Sequence, residues 1–478
     1  MAAVFNMRLK RGGHVVEIKY NGKLFCGEKG QYLSEVLMQN TAKTEHLCGG
    51  KGICKKCTVM VNGKEELSCK YKIEFDITVE DVFKEGIFSV TGVQETENAT
   101  ENMCLCLDIG TTTLALALVS LDNKSVVKVL TATNPQRVYG ADIISRVEYC
   151  TKNGIKQLQK TLVAEINSMI EKLNTDFVQC MYVAGNTTML HTLLGEDCSS
   201  IGVAPYKASF LGKRAVDAND CCIKNVGEIV ALPSIHAFIG ADILAGIGYV
   251  GLPCENKYNL LVDLGTNAEI VLFSRKELLC TSAAAGPCFE GANISCGMSA
   301  VEGAICSYGK GKIKTIGNKM PIGLCGTGLV DVISTLLSDG AIDEAGYMEE
   351  DFEITQDIIL TQKDIREFQV AKSAVCSGIL TLMREKAVDS SDIDTVYISG
   401  GFSGALNIES ATKTGLLPQE LTAKCVAVEN SSLLGTIQYA LEGKRLVGIT
   451  ENARYFDLST SSDFSELFIK NMQFNKNG

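Results

Sequence analysis

The sequence predicts two modules in series: a small α+β unit over residues 1–90, then a large α/β domain over residues 103–478 made of two halves. Four cysteines gather near the N-terminus, in one glycine-rich stretch and the strand behind it. Two Asp-x-Gly-Thr turns, each between apolar strands, lie roughly 155 residues apart, and a strand ending in a glycine pair follows late in the chain. Between the modules, residues 91–102 (TGVQETENATEN) are polar and acidic without periodicity and read as a linker.

A length of 478 residues exceeds what one core holds, so two to four structural units are expected. Hydrophobic residues make up 46% of the chain, but the most apolar stretches, 105–121 and 260–273, are each broken by an Asp, Gly and Thr turn. Neither reads as a membrane span. Arg8, Lys10 and Arg11 are not followed by an apolar run, so no secretory leader is expected and the chain is placed in the cytoplasm. A formal net charge of −11 argues against nonspecific nucleic-acid binding. The 20 cysteines should then stay reduced, and those such as Cys104 and Cys106 read as small buried hydrophobes in strands.

In chain order, the stretch from Gly13 to Cys26 alternates as two short strands around Asn21-Gly22, a hairpin signal. Tyr32, Leu33, Val36 and Leu37 mark one face of a helix starting near Gly30. The segment CGGKGICKKC spaces Cys48, Cys54 and Cys57 as C-x5-C-x2-C, and Cys69 comes after eleven more residues. Four thiolates converging from a loop and one later strand suit a [2Fe–2S] cluster. Gly49, Gly50 and Gly52 let the backbone wrap close to it. Zinc also takes four thiolates but more often pairs two short knuckles, and only one is present. Thr58 to Val61 reads as a strand turning at Asn62-Gly63. Over about residues 10–90 this order resembles the plant-type ferredoxin β-grasp fold. Cys26 falls outside the spacing and reads as a strand thiol; Lys51, Lys55 and Lys56 are expected to steer an acidic partner.

After the linker, MCLCLDIGTTTLALALVSL runs as an apolar strand into Asp108, turns through Gly110, Thr111 and Thr112, and leaves as a second strand. Backbone N–H groups and hydroxyls in such a turn can cradle phosphate oxygens, and Asp108 can hold a hydrated Mg²⁺. The device recurs in NLLVDLGTNAEIVLF with Asp263, Gly265, Thr266 and Asn267. A third strand, Thr395 to Ser399, ends in Gly400 and Gly401, after which Phe402-Ser403-Gly404 is expected to open a helix. Two phosphate hairpins and a late Gly-Gly turn resemble the actin, hexokinase and heat-shock chaperone ATPases. The resemblance implies an actin-like ATPase domain of two ribonuclease-H-like halves that clamp ATP and Mg²⁺. GADIISRVEY from Gly140 and GADILAGIGY from Gly240 echo one another, as a duplicated origin would leave them. Asp242, 21 residues before Asp263, stands where the chaperone ATPases position the attacking water; with Asp263 it is the expected catalytic pair, and it also suits a helix N-cap.

Longer strings narrow the resemblance: AGNTTMLHTLLGED from Ala184, SIGVAPY from Ser200, AAGPCFEGANISCGM from Ala284, LCGTGLVDVI from Leu324 and YISGGFSGALNIESATKTGLLP from Tyr397. From residue 10 to about 440 the chain resembles the ferredoxin-fused ATPases that act as reductive activators of corrinoid proteins. That implies ATP-dependent one-electron reduction of an inactive Co(II) corrinoid to Co(I), an external low-potential electron donor, and a homodimer, as in many members. The chain departs from the pattern at Ala268 and Ser403, where glycines are usual, and a methyl group at Ala268 is expected to narrow the nucleotide pocket. It also lacks an extra domain of about eighty residues that long members carry between ferredoxin and ATPase. Activators of 2-hydroxyacyl-CoA dehydratases fit less well, since they hold a [4Fe–4S] cluster at a dimer interface. An electron-transfer or regulatory module with a vestigial ATP fold is the alternative, motivated by Ala268 and Ser403. Glu290, Asn293 and Ser295 are candidates to line the cleft or to be plain loop residues; His191 reads as a core histidine. Leu158, Leu162, Ile166 and Ile170 form the packed stripe of a helix over 155–173.

Overall fold

The computed structural model describes residues 15–20, 22–40, 57–81, 95–96, 100–401, 403–443 and 452–474. Cys48, Cys54, the glycines and lysines of their loop, and Phe402 lie outside the described residues.

Strands β1 (Val15–Tyr20), β2 (Lys23–Glu28), β3 (Thr58–Val61), β4 (Lys64–Leu67) and β5 (Ile77–Asp81) form one N-terminal sheet in the order β2-β1-β5-β3-β4. β1 runs parallel to β5 and the other pairs are antiparallel. Both expected hairpins form, with Tyr20 paired to Lys23 and Val61 to Lys64; Asn21 itself lies outside the described residues. Asn62 and Gly63 both take positive φ (50° and 81°), as a two-residue turn matched to strand twist requires. Helix α1 (Leu33–Asn40) buries Leu33, Val36 and Leu37 against Ile18, Val59 and Val79. It starts at Leu33, not near Gly30, because Gly30 N–H bonds Ile73 O (2.7 Å) and Ile73 N–H bonds Gln31 O (2.9 Å), while Gly30 takes a positive φ of 87° in a turn, which keeps 30–31 out of the helix.

The large domain holds two six-stranded sheets. The first comprises β6 (Met103–Ile109), β7 (Thr113–Ser120), β8 (Ser125–Thr133), β9 (Val178–Gly185), β10 (Arg214–Asp217) and β11 (Val226–Ala231), in the order β10-β11-β9-β6-β7-β8. The second is built on β12 (Tyr258–Leu264), β13 (Ala268–Phe273) and β14 (Leu278–Ala283). Two small sheets intervene: β15 (Ala304–Gly309) with β16 (Lys312–Thr315) and β17 (Gly323–Leu324), and β18 (Phe352–Thr355) with β19 (Ile358–Leu360). β20 (Ile393–Ser399), β21 (Cys425–Ala427) and β22 (Ala453–Tyr455) complete the order β21-β20-β12-β13-β14-β22. With β10 and β22 removed, the sheets coincide in order and sense: three antiparallel strands, then two parallel strands added beside the first.

The helices repeat with the strands. α2 (Ile143–Asn153) and α3 (Lys156–Leu173) precede β9, α4 (Thr187–Leu194) follows it, and α5 (Ala241–Val250) follows β11. α6 (Gly326–Ser338) and α7 (Gln362–Glu385) precede β20, α8 (Ile408–Lys413) follows it, α9 (Ser431–Glu442) follows β21, and α10 (Ser462–Asn471) packs on α7. So α5 matches α9. The echo at Gly140 and Gly240 therefore falls entirely in the first half, at the starts of α2 and α5, and is not the duplication. A short helix after Ser399 is one turn of 3₁₀ (Ser403–Ala405), with α8 beginning only at Ile408.

α5 and α9 lie between the sheets, each reaching the opposite half. Ile243 and Ile247 of α5 pack with Leu261, Val271 and Phe273 of the second sheet. Leu433 and Ile437 of α9 pack with Cys104, Cys106, Ala115 and Ala117 of the first, which makes those two cysteines the buried hydrophobes expected. A Cβ at Gly435 would stand 1.9 Å from Ala245 O, so the crossing depends on that glycine. On α3, Leu158, Leu162, Ile166 and Ile170 are buried. His191 is a core residue: its Nδ1 meets Thr187 O (2.7 Å), Ser209 N–H bonds its Nε2 (3.1 Å), and it stacks on Phe210. Linker residue Glu95 pairs with Val126 on the outer edge of β8. Among the described residues no helix is long and apolar enough to cross a membrane.

Candidate functional site

The two Asp-x-Gly-Thr turns sit at corresponding ends of the two sheets, between β6 and β7 and between β12 and β13. In the first, Gly110 N–H bonds Thr113 O (2.9 Å), and a Cβ on Gly110 would meet that oxygen at 2.7 Å. In the second, Gly265 N–H bonds Asn267 O (3.0 Å). Arg146, fully buried on α2, donates to Thr111 O (2.5 Å) and Gly140 O (3.0 Å). Burial pushes its guanidinium down to about 9. Asn186 caps α4 through Met189 N–H (3.0 Å) and donates from Nδ2 to Thr111 Oγ1 (3.2 Å). Arg146 and Asn186 were not singled out from sequence, since each meets the turn only through folding.

Asp108, Asp242, Asp263 and Glu269 share the cleft with partial access to solvent. Asp108 Oδ1 accepts from Ser432 Oγ (2.7 Å), and Asn430 also bonds it. Burial pushes Asp108 up to about 6 against those bonds, helped by the charge of Asp263. Asp263 is raised by burial and held by a hydroxyl bond from Ser399, its register partner on β20. Asp242 is pushed up to about 8 by burial and then by Asp263 and Asp108; Glu269 is raised well above the usual carboxylate range by burial, Asp263 and Asp242. Gly240, not Asp242, is the N-cap of α5, because Gly240 must pass close to Asn186 (a Cβ would lie 2.4 Å from its Cα). Asp242 sits in the first turn and accepts from Ile243 N–H (2.9 Å), where the helix dipole favours its charge. Among the described residues no three His, Cys, Asp or Glu side chains converge tightly enough to chelate a metal alone.

Glu290 joins the two turns. Its Oε2 accepts from Thr112 Oγ1 (3.2 Å) and from Thr266 Oγ1 (3.1 Å), one hydroxyl from each half. Burial raises its carboxyl, while Thr266, Arg137, Thr112 and Arg146 draw it down. Glu290 therefore lines the cleft, one of the two readings its glycine-bounded loop left open in the sequence. Ala268 lies wholly in the second-half core with Ile270 and Leu272, so its methyl does not narrow the cleft, contrary to expectation.

At the glycine pair the two residues differ. Gly400 has φ of 114°, and a Cβ would meet Leu264 O at 2.2 Å; Gly401 has open space around its Cα. Gly400 is thus needed to seat β20 against β12, and Gly401 leaves room for a ligand. Beside the turn, Glu429 reaches Gly404, and its Oε2 is a buried acceptor without a hydrogen-bond partner among the described residues.

In the N-terminal module Cys57 and Cys69 are both buried, with their Sγ atoms 3.2 Å apart. This is too far for a disulfide and close enough for both to ligate one metal centre. Cys26 lies half-buried on β2. Cys48 and Cys54 fall outside the described residues.

Two family models match adjacent parts of the chain: "RACo middle region" over residues 103–255 and "C-terminal domain of RACo the ASKHA domain" over 257–478. The first covers what we describe as the first half of the large domain. "Corrinoid activation enzyme RamQ" of Eubacterium limosum is 29% identical over 422 residues, 78% of this chain and 70% of that protein. "[Co(II) methylated amine-specific corrinoid protein] reductase" of Methanosarcina barkeri is 26% identical, over 77% of this chain and 76% of that protein. Among solved structures, "Reductive activator for corrinoid,iron-sulfur protein" matches at TM-score 0.71 and 25% identity, over 96% of this chain and 98% of that one. With both halves matched and the double sheet in place, the chain belongs to the RACo family of reductive corrinoid activators, with an ASKHA-type α/β domain.

Proposed function

We propose that this chain is an ATP-dependent reductive activator that passes one electron to a corrinoid protein, taking inactive Co(II) to Co(I). The observation that carries this reading is the shared cleft, in which the Asp-Gly-Thr turns of both halves converge on one acidic site. Residues 1–90 act as a [2Fe–2S] ferredoxin module, 91–102 as linker and 103–478 as the ATPase domain.

The residues present suit both groups. Cys57 and Cys69 stand side by side as two of four thiolate ligands, with Cys48 and Cys54 as the others. The cluster supplies one electron at a time, received from an external low-potential donor. Thr111, Thr112, Thr266 and Asn267 offer hydroxyl and amide donors to phosphate. The raised carboxyls of Asp108, Asp242 and Asp263 are groups that a divalent cation would let ionise. Gly400 and Gly401 seat the nucleoside, and the unpaired Glu429 oxygen is an acceptor for a sugar hydroxyl. Asp242 orients the attacking water and Asp263 holds the cation. ATP matters because Co(I) lies at very low potential; each 59 mV of shortfall costs roughly 1.4 kcal/mol for one electron. A clamp that grips one corrinoid state better supplies that difference.

Purified anaerobically with Mg²⁺, ATP and a low-potential reductant, the protein should convert a cob(II)alamin-bearing partner to the Co(I) spectrum. Conversion at the same rate without ATP, or none with any corrinoid protein, would overturn the reading. Cys57→Ser and Cys69→Ser should each remove the visible cluster absorbance, whereas Cys26→Ala should keep it.

A further inference from the structure

Glu290 has a role that the ATPase reading leaves unassigned. In this structure a single carboxylate oxygen takes the hydroxyl of Thr112 from one half and that of Thr266 from the other, at 3.2 and 3.1 Å. These hydroxyls belong to the turns that present donors to phosphate. The second carboxylate oxygen lies 3.9 Å from where a Cβ on Gly265 would stand, so the whole group is inserted between the turns. Buried Arg137 and Arg146 face it and favour an anion there. A nucleotide phosphate is an anion that needs the same donors.

The loop behind Glu290 has little slack. A Cβ on Gly291 would stand 2.3 Å from Met298 O, and one on Gly297 2.3 Å from Gly291 O, so residues 291–298 close on themselves. The loop is tied to the long helix α7 at two places. Phe289 packs edge-on against Phe368, with ring centroids 6.0 Å apart. Ser295 donates from N–H (2.7 Å) and Oγ (3.1 Å) to Asp364 Oδ1, whose other oxygen accepts from Thr361 N–H (2.8 Å) in the cap of α7. The loop that carries Glu290 is thus joined to the start of a 24-residue helix.

We propose that Glu290 is a positioning residue that acts as a latch: it bridges Thr112 and Thr266 until nucleotide phosphate takes their hydroxyls, and its release shifts residues 287–298 against α7. The latch rests on the ATP-binding reading and adds the route by which nucleotide reaches the outer face of the second half. Phosphate and Glu290 compete for two donors, so removing the carboxylate tightens nucleotide binding.

The test uses the full chain with Mg²⁺ and a non-hydrolysable ATP analogue. Amide hydrogen exchange over residues 288–298 of the unaltered protein should rise about tenfold when the analogue binds. Glu290→Ala should bind the analogue about tenfold more tightly, a difference equal to roughly 1.4 kcal/mol. Glu290→Gln, whose amide oxygen still accepts from both hydroxyls, should fall between. Slower exchange over 288–298 on binding would make Glu290 part of the nucleotide site and overturn the latch. Equal tightening in Ala and Gln would reduce the effect to lost charge and overturn it too, as would weaker binding in Ala. If the Ala variant fails to fold, the exchange result on the unaltered chain decides. Failure of the unaltered chain to bind the analogue ends the ATP reading and the latch together, while binding with any of the overturning results ends the latch alone.

Discussion

Asp108 and Asp263 end corresponding strands of two like-ordered sheets, yet they are held differently. Asp263 takes its hydroxyl bond from Ser399, its direct register partner in its own sheet. Asp108 takes its bonds from Ser432 and Asn430, at the start of α9 in the opposite half. The second turn is thus complete within its half, whereas the first is complete only while α9 stays seated on the first sheet. A domain whose halves share topology can place the dependence on closure in one half alone. Charge is divided unevenly too, because Asp263 raises Asp108, Asp242 and Glu269, and so stands at the electrical centre of the cleft.

The seat of α9 is the place to break this contrast. Gly435→Ala puts a methyl 1.9 Å from Ala245 O, a backbone atom that cannot step aside. Denaturant unfolding should show a loss of about 3 kcal/mol, at the upper end for overpacking. Gly246→Ala, on the other helix of the crossing, meets side-chain atoms alone, the Ser431 hydroxyl at 2.7 Å and Leu261 Cδ2 at 3.2 Å, which give way more readily than backbone, and should lose about 1 kcal/mol. Equal losses would mean the helices part freely. Next in size is turnover. Asp263→Asn should lower Mg²⁺-dependent ATP hydrolysis about a hundredfold and Asp108→Asn about tenfold, because Ser432 and Asn430 already carry part of the load on Asp108. Matching losses in steady-state assays would erase the difference between the turns.

The smallest effect is a pH dependence. Asp242 is raised to about 8 in the fold against about 3.9 in the unfolded chain, so the folded protein holds this proton more tightly. Its contribution to stability is complete below about pH 4 and fades as pH climbs toward 8. Asp242→Asn removes that titration and should gain about 1–2 kcal/mol on the parent between pH 5 and 8, after allowance for partial solvation of the cleft. Saturating Mg²⁺ should shrink the gap by stabilising the ionised parent. Parallel melting curves for parent and variant across pH 5–8 would show that Asp242 is not strained by its neighbours.

Much of the site is legible along the chain because its chemistry is local. The Asn-Gly hairpins, the apolar strands running into Asp108 and Asp263, and the glycine pair at 400–401 depend on neighbours a few residues away. Even there, distance along the chain misled. Gly140 and Gly240 carry similar strings because each starts a helix at a crowded spot, where a Cβ would lie 2.6 Å from Ser145 Cβ or 2.4 Å from Asn186 Cα. Those are like steric needs in one half, not like places in two. Ala268 seemed to crowd the nucleotide, yet strand alternation turns its methyl into the core and leaves Glu269 on the cleft side.

Residue type and spacing alone picked out the order of strands and turns and the presence of two Asp-x-Gly-Thr hairpins, since turn geometry and strand polarity are set by short-range sterics and solvation. Tertiary structure alone brought Glu290 to Thr112 across 178 residues and Ser432 to Asp108 across 324. No local preference encodes such a meeting. The meeting at Asp108 comes from burying the apolar faces of α5 and α9 between two sheets, which carries the polar start of α9 into the cleft, and Glu290 is placed by the packing of its loop on α7.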